Sequence, residues 1–250
     1  MRAPATLILT LSLVGTAACG VSRGIRPLGE GVTAATASLG GPFADYAGAQ
    51  APLPLATVGV AHGVHERVDI HGAAHITTVA LFALWGFEFG AGALLLDPDA
   101  RAAPALMLDV NFNVFSGSLG GSDPEGGLRI YPEADLRASW AWGEADHLVY
   151  TGPSGFFQVK DFTAVPSWAL GNQFRMGRFD LTPEVRWIAP GKDPKSVTVD
   201  WGGLGGHGVL ALYLGARLRF GGSKSPPPAA PPVTTQWGLP TPPLSPSSSE

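Results

Sequence analysis

Between residues 31 and 220 hydrophobic and polar side chains alternate with a period of two, in runs set off by clusters of Gly, Pro, Asp and Asn. Beyond the N-terminus no stretch carries an apolar period of 3.6 over helical length. The pattern predicts an all-β chain of ten strands: Gly31 to Gly41, Pro54 to Val64, Arg67 to Ile76, Leu84 to Leu96, Ala103 to Phe115, Gly127 to Trp142, His147 to Phe156, Pro166 to Gly177, Phe179 to Ile188 and Gly208 to Phe220. Weak patterning in the first and seventh leaves eight strands as the alternative count.

The two faces differ sharply in chemistry. In RIYPEADLRASWAW, Arg129, Tyr131, Glu133, Asp135, Arg137 and Ser139 fall on one side and Ile130, Pro132, Ala134, Leu136, Ala138, Trp140 and Trp142 on the other. The ninth strand sets Asp180, Thr182, Glu184 and Arg186 against Leu181, Pro183, Val185 and Trp187. The third opposes Arg67, Asp69 and His71 to Val68 and Ile70, and the fifth opposes Asp109, Asn111 and Asn113 to Leu108, Val110 and Phe112. Three features break the pattern: Pro132 and Pro183 remove ladder donors, and Asn172 falls on the apolar face.

Connections alternate in length. Those after the second, fourth, sixth and eighth strands are tight, at His65 to Arg67, Asp97 to Arg101, Gly143 to Asp146 and Gly177 to Arg178. The longest of the others run from Pro42 to Leu53, from Ser116 to Glu125 and from Ala189 to His207. Short turns at one rim and long loops at the other describe a transmembrane barrel. An even strand number puts both ends of the barrel on the short-turn side.

Composition separates this barrel from a soluble one with its greasy side inward. Charged residues make up 14% of the 250 and Gly accounts for 34, whereas soluble domains are about a quarter charged. Mean hydropathy is +0.17. Lys160, Lys192, Lys195 and Lys224 all fall outside the strands, although exposed soluble strands commonly carry Lys. Aromatics (Trp85, Trp140, Trp142, Trp168, Trp187, Phe179, Phe220) gather on the apolar face near strand ends, as interfacial girdles do. The apolar face is therefore expected outward, against lipid. The polar face is expected inward, where Asp69, Glu88, Asp109, Arg129, Glu133, Asp135, Arg137, Arg175, Asp180, Glu184, Arg186, Arg217 and Arg219 form a charge-paired filling of the lumen.

Both ends of the chain differ from the middle. MRAPATLILTLSLVGTAACG has one basic residue and an apolar run too short to span a bilayer, so residues 1–18 are expected to be a signal peptide. Thr16-Ala17-Ala18-Cys19 resembles the lipobox of bacterial lipoproteins, with Thr16 where Leu is preferred, and this implies lipidation of Cys19. Cys19 is the chain's one cysteine, which excludes an internal disulfide framework. Residues 19–30 are then an N-terminal periplasmic segment and residues 31–220 the barrel. Residues 221–250, rich in Pro and Ser with repeated PxxP spacing, form a disordered, extended tail reaching toward the cell wall or a periplasmic partner.

The last predicted strand, GVLALYLGARLRF, carries the spacing Tyr213-x-Gly215-x-x-Leu218-x-Phe220. It resembles the closing-strand signal of bacterial outer-membrane β-barrel proteins, although family members usually end at the aromatic and this chain continues. The resemblance implies an antiparallel up-and-down barrel, surrounded by outer-membrane lipid and inserted by the barrel-assembly machinery.

Candidate chemistry is sparse. Net charge is −4 without a basic patch, which argues against nucleic acid. Asp69, His71 and His75 share a face, but a metal cage needs three or four convergent ligands, and polar lumen packing is the plainer reading. Ten-stranded outer-membrane proteases use Asp and His near the extracellular rim, where Asp200 and His207 fall here, yet their loop, VDWGGLGGHG, reads more plainly as flexible. No catalytic set, metal site or cofactor motif is assigned. Two roles remain: a structural or interaction barrel with a largely closed lumen, and a small pore or transporter for small or hydrophobic ligands.

Overall fold

The computed structural model describes residues 23–46, 49–97, 103–117, 127–142, 147–158, 163–191 and 207–221. Among the described residues, eleven strands and one short helix follow in the order β1 (Val32–Tyr46), β2 (Ala49–Pro52), β3 (Leu55–His65), β4 (Val68–His75), α1 (Ile76–Phe82), β5 (Trp85–Leu96), β6 (Ala105–Gly117), β7 (Gly127–Trp142), β8 (His147–Gln158), β9 (Thr163–Met176), β10 (Phe179–Ile188) and β11 (Val209–Gly221). β1 pairs antiparallel with β2 and with β3, each strand from β3 onward pairs antiparallel with the next, and β11 pairs back onto β1 from Val32↔Gly221 to Pro42↔Ala211. Closure leaves no open edge among the ten staves β1 and β3–β11. All ten predicted strands correspond to these staves.

Two elements were not anticipated. The predicted loop after the first strand is in part a ladder, because β1 runs past the wall and Phe43 to Tyr46 pair with Ala49 to Pro52 of β2. Between β4 and β5 lies α1, a helix of seven residues. Its sequence ITTVALF is led by β-branched residues that favour strands, so neither periodicity nor propensity announces it. Thr78 Oγ1 donates to the His75 carbonyl at 3.0 Å, and Ala83, in the left-handed region at φ 52°, ends the helix.

Register follows the pleat. Inward residues of β7 and β10 (Tyr131, Glu133, Asp135, Arg137, Ser139; Asp180, Thr182, Glu184, Arg186) are buried, while Ile130, Leu136, Trp142 and Val185 on the opposite faces are exposed. Gly177, at φ 61° ahead of Arg178, supplies the positive φ needed by a two-residue hairpin turn with Gly first. The prolines leave local marks. Pairing of β7 with β8 lapses between Asp135↔Ser154 and Ala138↔Thr151, where Pro153 sits. Pairing of β9 with β10 lapses between Leu181↔Phe174 and Glu184↔Gly171, around Pro183. Asn172, inside that second lapse, lies on the outward face with Trp168 and Leu170.

Candidate functional site: the lumen

The barrel is polar inside and apolar outside. Outward positions carry Val58, Val60, Ile70, Phe87, Phe89, Val110, Phe112, Leu170, Leu212 and Leu214, all large hydrophobics open to the surroundings. Trp85, Trp168 and Trp187 mark the outer face toward the long-loop rim, and Trp142, Phe179 and Phe220 toward the short-turn rim.

The interior has three layers. At the long-loop end it is apolar: Ala44, Ile188, Val209, Ala211 and Tyr213 form one cluster, and Leu84, Phe115 and Tyr131 another. One part of the chain that the sequence pattern treated as a connection, β1 beyond Gly41, contributes Ala44 to the first of these clusters.

The middle layer is charged. Asp69, Glu88, Asp109, Glu133, Asp135, Asp180 and Glu184 are buried on the wall, with Arg137, Arg186 and Arg217. Arg186 binds Glu184 Oε1 at 2.8 Å and Glu133 Oε1 at 3.0 Å. Arg137 Nη2 lies 3.6 Å from Asp135 Oδ2 and 3.5 Å from Glu184 Oε2, and its guanidinium covers the ring of Tyr150. Tyr150 donates its hydroxyl to Glu184 Oε2 at 2.8 Å. Nearer the short-turn rim, Asp180 accepts from Arg217 Nη2 at 2.9 Å, with Arg175 Nε and half-buried Arg219 Nη2 each 3.4 Å from its second oxygen. Arg129 shares the inward face of β7 but is only half-buried. Such charges lie in a low-dielectric interior only where opposite charges and hydrogen bonds compensate them.

The third layer is the N-terminal segment. Residues 23–30, read from sequence as a separate periplasmic segment ahead of the barrel, instead fold back into it from the short-turn rim. Close to the rim, Gly31 N donates to Gly63 O and the Leu28 amide donates to both oxygens of Asp69, at 2.9 and 3.1 Å. Higher up, the Ile25 amide donates to Gln173 Oε1 at 3.2 Å, and the fully buried Ile25 side chain packs on Leu148 and Tyr150. Arg23 reaches the middle layer, where Nη1 donates to Asp135 Oδ2 at 2.9 Å and Asp109 Oδ1 at 3.2 Å, and Nη2 to Glu133 Oε2 at 2.9 Å. The physical reason is width. Eight staves leave a lumen that wall side chains fill, and ten leave room that something else must occupy.

Strand periodicity did not reveal Arg23, because the residue lies in no strand. One signal was available: the predicted inward faces of the third, fourth and fifth strands held Asp69, Glu88 and Asp109, and the one arginine on them, Arg67, sits at a turn and is exposed. A cation had to come from elsewhere.

The other residues singled out by sequence are dispersed. His71 Nδ1 stands 3.9 Å from Asp109 Oδ2 and His75 Nε2 stands 3.7 Å from Glu88 Oε2. Among the described residues no group of three or more His, Cys, Asp or Glu is arranged to hold a metal. His207 is exposed, its carbonyl accepting from Trp187 Nε1 at 3.0 Å. Asp200, Cys19, the lysines, the signal segment and residues 222–250 lie outside the described residues. In the closing strand, Tyr213 and Gly215 face the lumen, and Leu218 and Phe220 face outward.

No family model matches the chain, and no curated protein matches its sequence. Among solved structures, the translocator domain of the autotransporter NalP from Neisseria meningitidis aligns with a TM-score of 0.39 and 11% identity, over 86% of this chain and 96% of that one. The transport unit of the autotransporter AIDA-I from Escherichia coli aligns with a TM-score of 0.36 and 10% identity, over 89% of this chain and 100% of that one.

Proposed function

We propose that the chain is an outer-membrane β-barrel of a Gram-negative bacterium, with a lumen closed by charge pairs and by its own N-terminal segment, and that it serves a structural or interaction role at the cell envelope. The observation that carries this reading is the inversion of the barrel: buried carboxylates and arginines inside, and a continuous band of exposed Val, Leu, Ile and Phe outside. In water that band would be an apolar patch far beyond what a soluble monomer exposes. In hydrocarbon it is the expected surface, and closure of β11 onto β1 satisfies the backbone groups that lipid cannot.

Several parts of the reading rest on sequence. Lipidation of Cys19, four residues ahead of Arg23, would tether the N-terminal segment to the membrane. The proline-rich tail leaves the rim where β1 begins and β11 ends, which suits a periplasmic spacer. Tyr213, Gly215, Leu218 and Phe220 supply the assembly signal. A filled lumen favours the structural role over the pore or transporter.

The test is fractionation of expressing cells followed by gel migration with and without boiling. Heat-modifiable migration in the outer-membrane fraction is the expected result. Release into the soluble periplasm overturns the reading.

A further inference from the structure

Buried charge is unevenly distributed around the wall. Strands β4, β5 and β6 contribute Asp69, Glu88 and Asp109 and, among the described residues, no buried arginine; the buried wall arginines sit on β7, β10 and β11. Carboxylates enclosed together repel one another and pay the full cost of leaving water, so such a sector is stable only with a cation in it. The wall does not provide that cation at β5 and β6. Arg23 does, from outside the wall.

The contacts have the form of a receptor for a planar cation. Two nitrogens of the Arg23 guanidinium reach Asp109, Glu133 and Asp135 within 3.2 Å, with Glu88 Oε2 3.9 Å away. With the Asn111 amide oriented so that its nitrogen donates to Phe89 O at 2.8 Å, its oxygen accepts from Arg23 Nη2 at 2.6 Å. A fork of N–H donors in one plane suits several carboxylates at once, as a point charge does not.

A second observation shows that the sector is not saturated by its occupant. Glu88 is 4% exposed, yet its Oε2 has no hydrogen-bond partner. That side chain lines a cavity of about 50 Å³ beside Arg23, bounded also by Asp69, His71, Asp109 and Arg217. The space is large enough for a few waters. Truncating Arg23 would merge it with the volume the guanidinium leaves.

We propose that Glu88, Asp109, Glu133 and Asp135, with Asn111, form a guanidinium-binding site in its own right, of which Arg23 is the tethered occupant. Its ligand class is the small planar cation with several N–H donors, free guanidinium being the simplest member. The inference rests on the proposed barrel with its polar lumen.

The experiment uses the full chain refolded into detergent micelles, as wild type and as Arg23→Ala, with the temperature of the heat-modifiable band shift read in guanidinium, tetramethylammonium or sodium chloride at equal millimolar concentration. Guanidinium should raise the shift temperature of Arg23→Ala saturably and leave wild type unmoved. Half-saturation should fall about tenfold or more below that of tetramethylammonium, which has the charge without the donors. If Arg23→Ala gives no folded band alone, the same comparison is read as recovery of the folded band. The added substitutions Glu133→Gln and Asp135→Asn should abolish the guanidinium effect. Equal responses to all three salts, no response, or a response surviving those two substitutions overturns the site. Absence of a heat-modifiable band from wild type instead overturns the barrel reading beneath it.

Discussion

Arg23 Nη1 and Asp135 Oδ2 stand 2.9 Å apart inside the barrel, joined across 112 residues of sequence, with both side chains buried. Their contact ties the segment before the first strand to the middle of β7. Asp135 also lies 3.6 Å from Arg137 and 4.0 Å from Arg186, so one carboxylate serves three guanidiniums. Removing it takes one compensating charge away from three buried guanidiniums at once, at a cost of about 3–5 kcal/mol. Asp135→Ala should therefore lower the urea midpoint of the refolded barrel strongly. Arg219→Gln, at the half-buried rim where Asp180 keeps Arg217, should cost about 1 kcal/mol or less.

The sign of the lumen can be tested from the outside. Val110 of β6 faces outward between Ala91 and Ala134. If that face meets lipid near the bilayer midplane, Val110→Arg costs about 2–4 kcal/mol and Val110→Leu almost nothing. Equilibrium unfolding in phospholipid bilayers checks this. A soluble barrel would tolerate the arginine there.

Closure can be tested by cross-linking. Ala37 of β1 is paired with Ala216 of β11, both on the outward face. In a Cys19→Ser background, Ala37→Cys with Ala216→Cys should form a disulfide on oxidation, because paired positions on antiparallel strands lie within bridging distance. Ala37→Cys with Leu218→Cys, two residues out of register on the same face, should react far less. Mass spectrometry of the oxidised protein separates the two.

The ladder lapse beside Pro153 also makes a prediction. A Cβ at Gly152 would overlap the carbonyl oxygen of Leu136 on the neighbouring strand. Gly152→Ala should thus destabilise by about 1–3 kcal/mol through overpacking, seen as a lower temperature of the heat-modifiable band shift. Gly191, whose Cβ would meet nothing within 4 Å among the described residues, is the control and should accept Ala without change.

What could be read from sequence follows from what a strand imposes. Alternation at period two is a local property, so Asp109, Glu133, Asp135, Glu184 and Arg186 could be put on one face from neighbouring residues alone. Two kinds of feature escape such reading. The helix α1 is too short and too β-branched to leave a period. The inserted segment has no period either, and the hydrogen bonds that hold Arg23 span 86 to 112 residues. Only charge bookkeeping strand by strand pointed toward it.

The most direct test of the central claim, a barrel closed from within, is planar-bilayer recording of the refolded full chain. The charged layer, the apolar clusters at the long-loop end and residues 23–30 together fill the lumen, so little or no steady ionic current is the predicted result. A large, stable conductance would contradict the account and return the chain to the small pores.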